Sequence, residues 1–216
     1  MKDRARENSR GKYGGYRTSA LLAGILAALY SAEASAQSII KQPGNHPHYS
    51  VDLEPHLAVG LDDPGYWGGT GWGLGMRATI PFLRNGPIST INNDMGIGFG
   101  LDWLTRSGSC GRYYPGYPYS NYDCSGYAFY LPVVLQWNFY LTDIITVYGE
   151  PGLAFRFAHA SYTYPCGPGL VCEDSAGHTD PILVLGGGAK FMFGRTIGLN
   201  VRLGYPYVSV GASFLL

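Results

Sequence analysis

From Tyr49 to Leu61 the chain alternates without a break. The odd positions read Tyr, Val, Leu, Pro, Leu, Val, Leu, and the even positions Ser, Asp, Glu, His, Ala, Gly. A strand sends successive side chains to opposite faces, so one face here is wholly apolar and the other carries Asp52, Glu54 and His56. Two architectures produce this. A soluble sheet turns the apolar face inward, whereas a transmembrane barrel turns it outward onto lipid.

The pattern recurs. Trp72, Leu74, Met76, Ala78, Ile80 and Phe82 alternate with Gly73, Gly75, Arg77 and Thr79. Met95, Ile97, Phe99, Leu101 and Trp103 alternate with Asp94, Gly96, Gly98, Gly100 and Asp102. Further segments run over 127–141, 145–157, 183–193, 197–203 and 208–216, which makes eight strands. Ten residues at about 3.3 Å each, tilted by about 40°, rise roughly 25 Å, the height of a barrel's apolar band. Trp72, Phe82, Trp103, Tyr127, Trp137 and Phe139 fall near segment ends, where an interfacial girdle sits. Connections 62–70, 104–126 and 158–179 are long, whereas 142–144 and 194–196 are tight. Long outer loops and short periplasmic turns give that rhythm. The connections 83–92 and 205–207 break it. The expected fold is all-β, an eight-stranded antiparallel transmembrane barrel over 48–216. A soluble lipid-binding barrel is the alternative.

The N-terminus fits export. A basic stretch precedes the apolar run 20–30, and Ala34-Ser35-Ala36 is a small-x-small cleavage site. Residues 1–36 read as a signal peptide, and 37–47 as a periplasmic N-terminal segment. The whole chain has 15 basic and 15 acidic residues. Setting aside the six basic and three acidic ones in the first 36 leaves a remainder near −3. No basic patch survives, which argues against a nucleic-acid partner.

The last residues, Ser209-Val210-Gly211-Ala212-Ser213-Phe214-Leu215-Leu216, resemble the terminal strand that barrel-assembly machinery recognises. Ser209, Gly211, Phe214 and Leu216 occupy its key places. With the alternation, this ending resembles the small outer-membrane barrels of the OmpA/OmpX type. The resemblance implies residence in the cell outer membrane, contact with its lipid and assembly by that machinery; no P-loop or dinucleotide fingerprint occurs, and no cofactor is expected.

An eight-stranded barrel is just wide enough for its own side chains to fill. The polar phase then forms a lumen network of Glu54, His56, Arg77, Glu150, Lys190 and Arg202. Counting back from the turn at 194–196 sets Lys190 opposite Asn200 and Gly188 opposite Arg202. Pairing strands five and six sets Glu150 opposite Gly188, between Lys190 and Arg202, and pairing strands one and two sets Arg77 across from His56 and diagonal to Glu54. Bulges are expected at Pro55 and Pro151, since proline breaks a ladder.

Cys110, Cys124, Cys166 and Cys172 lie in the two longest connections, an even count that suits disulfides outside the cytoplasm. No CxxC spacing supports zinc, and no metal site is expected. Between Cys110 and Cys124, Tyr113, Tyr114, Tyr117, Tyr119 and Tyr122 are spaced by Pro, Gly, Ser and Asn. That composition resembles an antibody paratope and suggests a partner-binding loop. His48-Tyr49-Ser50 is similar to the His-x-Ser fragment of lipid A deacylases. It sits at the first strand rather than late in the chain, Val51 follows, and alternation sets His48 and Ser50 toward the lumen rather than lipid. The expected function is a non-enzymatic structural or docking role in an envelope complex of secretion, adhesion or motility type. A narrow channel and a lipid-modifying enzyme are the alternatives.

Overall fold

The computed structural model describes residues 37–60, 71–111, 121–167 and 170–216. The chain divides after Gln37, and the architecture below is that of Ser38–Leu216. Eight strands run in chain order: β1 (Asp52–Gly60), β2 (Gly71–Leu83), β3 (Asn93–Gly111), β4 (Asn121–Tyr140), β5 (Ile145–Gly167), β6 (Leu170–Met192), β7 (Ile197–Tyr205) and β8 (Tyr207–Leu215). Each pairs antiparallel with its neighbours, and β1 pairs with β8 to close the barrel. Closure leaves no edge within the bilayer, the condition for a sheet to cross it.

The strands differ greatly in length. β1, β7 and β8 have 9 residues each, whereas β5 and β6 have 23. A 23-residue strand at the same tilt rises roughly 55 Å, about twice the apolar band. The regions expected as connections over 104–126 and 158–179 are therefore mostly ladder. Ser107 pairs with Ser125 and Cys110 with Tyr122, while Tyr162 pairs with Asp174. Backbone hydrogen bonds continue past the point where greasy alternation stops, and that point is where the sequence pattern had ended each strand. All four cysteines thus sit on strand extensions rather than in loops.

The prolines are handled without the expected bulges. Pro55 pairs with Met76 on β2, while the β1–β8 ladder steps from Leu53–Phe214 to His56–Gly211 in unchanged register. Pro151 pairs with Leu185 on β6, and the β4–β5 ladder steps over it in the same way. A proline lacks one N–H, which points to one side of the strand, so only one of two ladders is interrupted. The register shifts fall at Pro81/Leu83 and Pro165/Gly167.

Both described ends of the barrel chain, before β1 and after β8, lie at the end that carries the tight turns 141–144 and 193–196. Short turns mark the periplasmic side. There the segment 38–50 crosses the mouth. Ile39 N donates to Leu141 O at 3.0 Å, Asn92 N donates to Ile40 O at 2.7 Å, and Ile39 is 4% exposed. Tyr49, Met192 and Leu215 pack together beneath it.

Candidate functional site

The barrel's two faces are inverted relative to a soluble protein. Leu57 is 67% exposed on the outside, and Trp72, Leu74, Met76, Leu153, Phe155, Leu183 and Leu203 are exposed with it. Asp52, Glu54, Arg77, Asp102, Glu150 and Arg202 are all buried inside. Aromatic pairs mark both rims of the exposed band. Trp72 meets Trp103 edge-on at 6.3 Å, and at the other end Trp137 meets Phe139 at 4.8 Å. Apolar residues in water and charges in the core would be ruinous for a soluble sheet. In a bilayer the same arrangement is the stable one.

The chain is a small outer-membrane β-barrel.

Its lumen is filled by one connected network. Arg202, on β7, clasps Glu54 of β1 at two points, with Nη1 to Oε1 at 2.7 Å and Nη2 to Oε2 at 2.8 Å. Its Nε donates to Glu150 Oε2 on β5 at 2.7 Å. Arg77 of β2 reaches the same oxygen at 3.1 Å and donates to the Tyr207 hydroxyl at 3.0 Å. Tyr207 in turn donates to Asp102. His56 Nε2 lies 2.9 Å from Asp102 Oδ1, close but not aligned as a hydrogen bond. Asn200 donates to Glu54 and accepts from the Tyr148 hydroxyl at 2.8 Å.

Lys190 departs from the sequence expectation. It pairs with Asp52, which also accepts from Ser213 at 2.6 Å. Lys190 does face Asn200, and Gly188 faces Arg202. Glu150, however, faces Gly186, and Arg77 faces Glu54 with His56 opposite Gly75. Both pairings differ from the sequence expectation by two residues. A two-residue slip keeps every side chain on its face. The network's membership was therefore insensitive to the error, but its pairings were not. The amide orientation of Gln136 that satisfies its neighbours accepts from Lys190 Nζ at 2.8 Å and donates to Glu150 at 3.1 Å. Lys190 thus reaches Glu150 only through that amide.

Several members escaped the sequence reading. Asp94 accepts from Asn138 at 2.6 Å and from the hydroxyls of Tyr140 and Tyr49 at 2.6 and 3.2 Å. Asp52, Asp94 and Asp102 carry the signal in plain view, since each lies on the polar phase of its strand. Tyr207 carries none, being placed in a presumed turn. Small residues make the room. A Cβ on Gly75 would run into Asp102 and His56, and one on Gly188 into the Tyr148 ring.

Toward the outside the lumen changes character. Ala58, Leu104, Tyr130, Ile182, Val184 and Tyr207 form an apolar cluster above the charged layers. Higher still, Arg156 holds Asp180 at two points, 2.9 and 2.8 Å.

The remaining expected residues are placed as follows. Ser209 is buried and accepts from Arg202 at 3.1 Å, and Gly211 gives close approach to Pro55 and His56 of β1. Phe214 pairs with Leu53 and Ile197, and Leu216 N donates to Val51 O at 2.9 Å. Cys124 and Cys172 each belong to a disulfide. Cys110 and Cys166 lie on β3 and β5, with side chains outside the described set. Tyr113, Tyr114, Tyr117 and Tyr119 lie outside the described residues, as does the side chain of Tyr122 on β4. His48 and Ser50, expected in the lumen, are exposed at the periplasmic mouth, and Tyr49 between them is buried. The ladder begins only at Asp52, so the alternation does not carry back to them. Among the described residues no group of three or more His, Cys, Asp or Glu is placed to hold a metal ion.

No protein-family model and no curated protein matches the chain. Among solved structures it is similar to Ail, the attachment invasion locus protein of Yersinia pestis, in complex with the heparin analogue sucrose octasulfate. The identity is 15% and the TM-score 0.46, covering 79% of this chain and 99% of that one. It is also similar to Neisserial surface protein A, at 14% identity and a TM-score of 0.42, over 77% and 96% of the two chains. For the translocator domain of the autotransporter NalP from Neisseria meningitidis the identity is 14% and the TM-score 0.24, over 92% and 98%. Likeness at this level carries no function across.

Proposed function

We propose that this barrel acts by what it displays outside the membrane, as a docking component of an envelope or surface complex, and not by passing or transforming solutes. The carrying observation is the contrast between its axis and its rim. The axis is crossed at its mouth by the segment 38–50 and sealed within by the charged layers and by the apolar cluster. Opening it means parting buried ion pairs at several kcal/mol each. The rim, by contrast, extends β3 to β6 well beyond the apolar band. A strand wall of that length is unnecessary for spanning and is suited to presenting a surface. The sequence that joins β3 to β4 is rich in tyrosine, with Tyr113, Tyr114, Tyr117 and Tyr119, and Tyr122 follows on β4. Tyrosines with small polar neighbours give broad contact at low entropy cost.

In this reading the first 36 residues direct export and are removed, the barrel-assembly machinery inserts the chain, and no catalytic step is involved. The partner is a protein or surface glycan. Replacing the five tyrosines with serine is expected to abolish partner recovery from native membranes while the heat-shifted gel band of the closed barrel persists. Partner recovery at wild-type yield, or stepwise conductance in planar bilayers, would overturn the reading.

A further inference from the structure

The segment 38–50 covers only part of the periplasmic mouth. Beside it lies a cavity of about 730 Å³ between the turns 141–144 and 193–196. That size falls in the range of small-ligand sites, roughly 300–1,000 Å³, and barrel mouths are a common place for them. Its lining sets the apolar side chains of Ile39, Ile144, Met192 and Leu215 beside the polar Tyr140, Thr142 and Thr146. Arg195 and His48 stand on its rim, both exposed. Asp143, on the facing turn, is the one carboxylate among the lining residues.

The neighbours of this rim say what reaches it. Phe193 and Ile197 flank the turn that carries Arg195, and they are 75% and 50% exposed on the lipid side. The turn therefore sits where the hydrocarbon ends, with Arg195 at the level of the inner leaflet's headgroups. Arg84 and Lys41 lie exposed at the same end. An amphiphile from that leaflet meets the cavity with its head already at the height of a guanidinium.

We propose that the periplasmic mouth is a binding site for a single-chain amphiphile with an anionic head, either a free fatty acid or a lysophospholipid. Its chain lies along Ile39, Ile144 and Met192, and its head pairs with Arg195. A guanidinium takes carboxylate and phosphate alike by two-point hydrogen bonding. Asp143 disfavours a second negative charge and accepts from a headgroup hydroxyl where one is present.

The test uses the full chain in phosphatidylcholine vesicles, with diazirine-bearing palmitate, lysophosphatidylglycerol or an alkylammonium of equal chain length. Cross-links are mapped by mass spectrometry. Either anionic probe should label Ile144 and Met192, and the probe that does so identifies the source. Belt labelling at Phe193 and Ile197 serves as the internal standard. Arg195→Glu should lower mouth labelling about fivefold or more and leave the belt unchanged. Thr196→Trp, which fills the cavity, should do the same and carries the test if Arg195→Glu does not give the heat-shifted form. Labelling confined to the belt overturns the proposal. So does mouth labelling that ignores both substitutions or is matched by the alkylammonium.

Discussion

Glu150→Gln isolates the centre of the lumen network, because it removes a charge and keeps the shape. Glu150 is 0% exposed and serves two guanidiniums, with Oε2 accepting from Arg202 at 2.7 Å and Arg77 at 3.1 Å and Oε1 from Arg202 at 3.4 Å. Removing one member of a buried pair costs about 3–5 kcal/mol, since the other is left charged and dry. The two arginines do not suffer equally. Arg202 keeps its two-point clasp on Glu54. Arg77 keeps only the Tyr207 hydroxyl and Asp102 at 3.7 Å. The loss therefore falls mainly on Arg77, and we expect about 3 kcal/mol, the lower end of that range. Arg202→Met strands Glu54 and Glu150 together and should cost more, about 5 kcal/mol. Urea unfolding in vesicles, followed by tryptophan fluorescence and the heat-shifted band, measures both. Adding Arg77→Met to Glu150→Gln should recover part of the loss, as coupled neighbours do. An unchanged midpoint for Glu150→Gln, or strict additivity with Arg77→Met, would refute the assignment of Glu150 as the shared partner.

Gly75→Ala should destabilise the barrel by about 1–3 kcal/mol, because the new methyl group meets Asp102 and His56; a wild-type urea midpoint would contradict the packing. Lys190→Met should cost about as much as Glu150→Gln by leaving Asp52 unpaired, and Asp52→Asn in the same chain should restore most of it. Burial, and then the charges of Asp94 and Asp52, hold the Tyr49 hydroxyl well above the ordinary tyrosine range. Tyr49 therefore contributes stability that is full below a pH of about 10 and lost as pH rises from there toward its folded value. Tyr49→Phe should flatten that alkaline decline in the urea midpoint, and parallel pH profiles would count against the contact with Asp94.

The strand count, the inverted faces and the identity of most lumen residues were legible because they rest on one property, the two-residue period of a strand. Asp52 and Glu54, Arg77 and Thr79, and Lys190 each declare their face by phase alone. Which lumen residue meets which is a different question. It depends on the length of each hairpin's outer crossing, and for β5 and β6 the residues of 158–179 hid that length. Their polar, glycine-containing sequence lacks greasy alternation, yet the ladder persists through it because the backbone supplies the bonds. Tyr207 shows the same limit from the other side. It stands one residue beyond the cis Tyr205–Pro206 bond, in what reads as a turn, yet it is the hinge of the Arg77–Asp102 contact.

The two-layered lumen explains how so short a sheet holds so much charge. On the β7–β8–β1 side each strand has 9 residues, so the barrel's outer opening there lies only two or three rungs above Arg202 and Glu54. Charged pairs that close to water would be solvated, and a solvated pair is worth little. Ala58 of β1 and Tyr207 of β8 stand on those rungs and pack with Leu104, Tyr130 and Ile182 from the tall side. The apolar cluster therefore caps the low side of the barrel and keeps the network dry. Leu104→Ser, which opens that cap without touching a charge, should bring the penalty for Glu150→Gln down toward the exposed-pair value of about 1 kcal/mol. A penalty that stays near 3 kcal/mol in the Leu104→Ser chain would mean that the ion pairs are shielded by something other than the cluster above them.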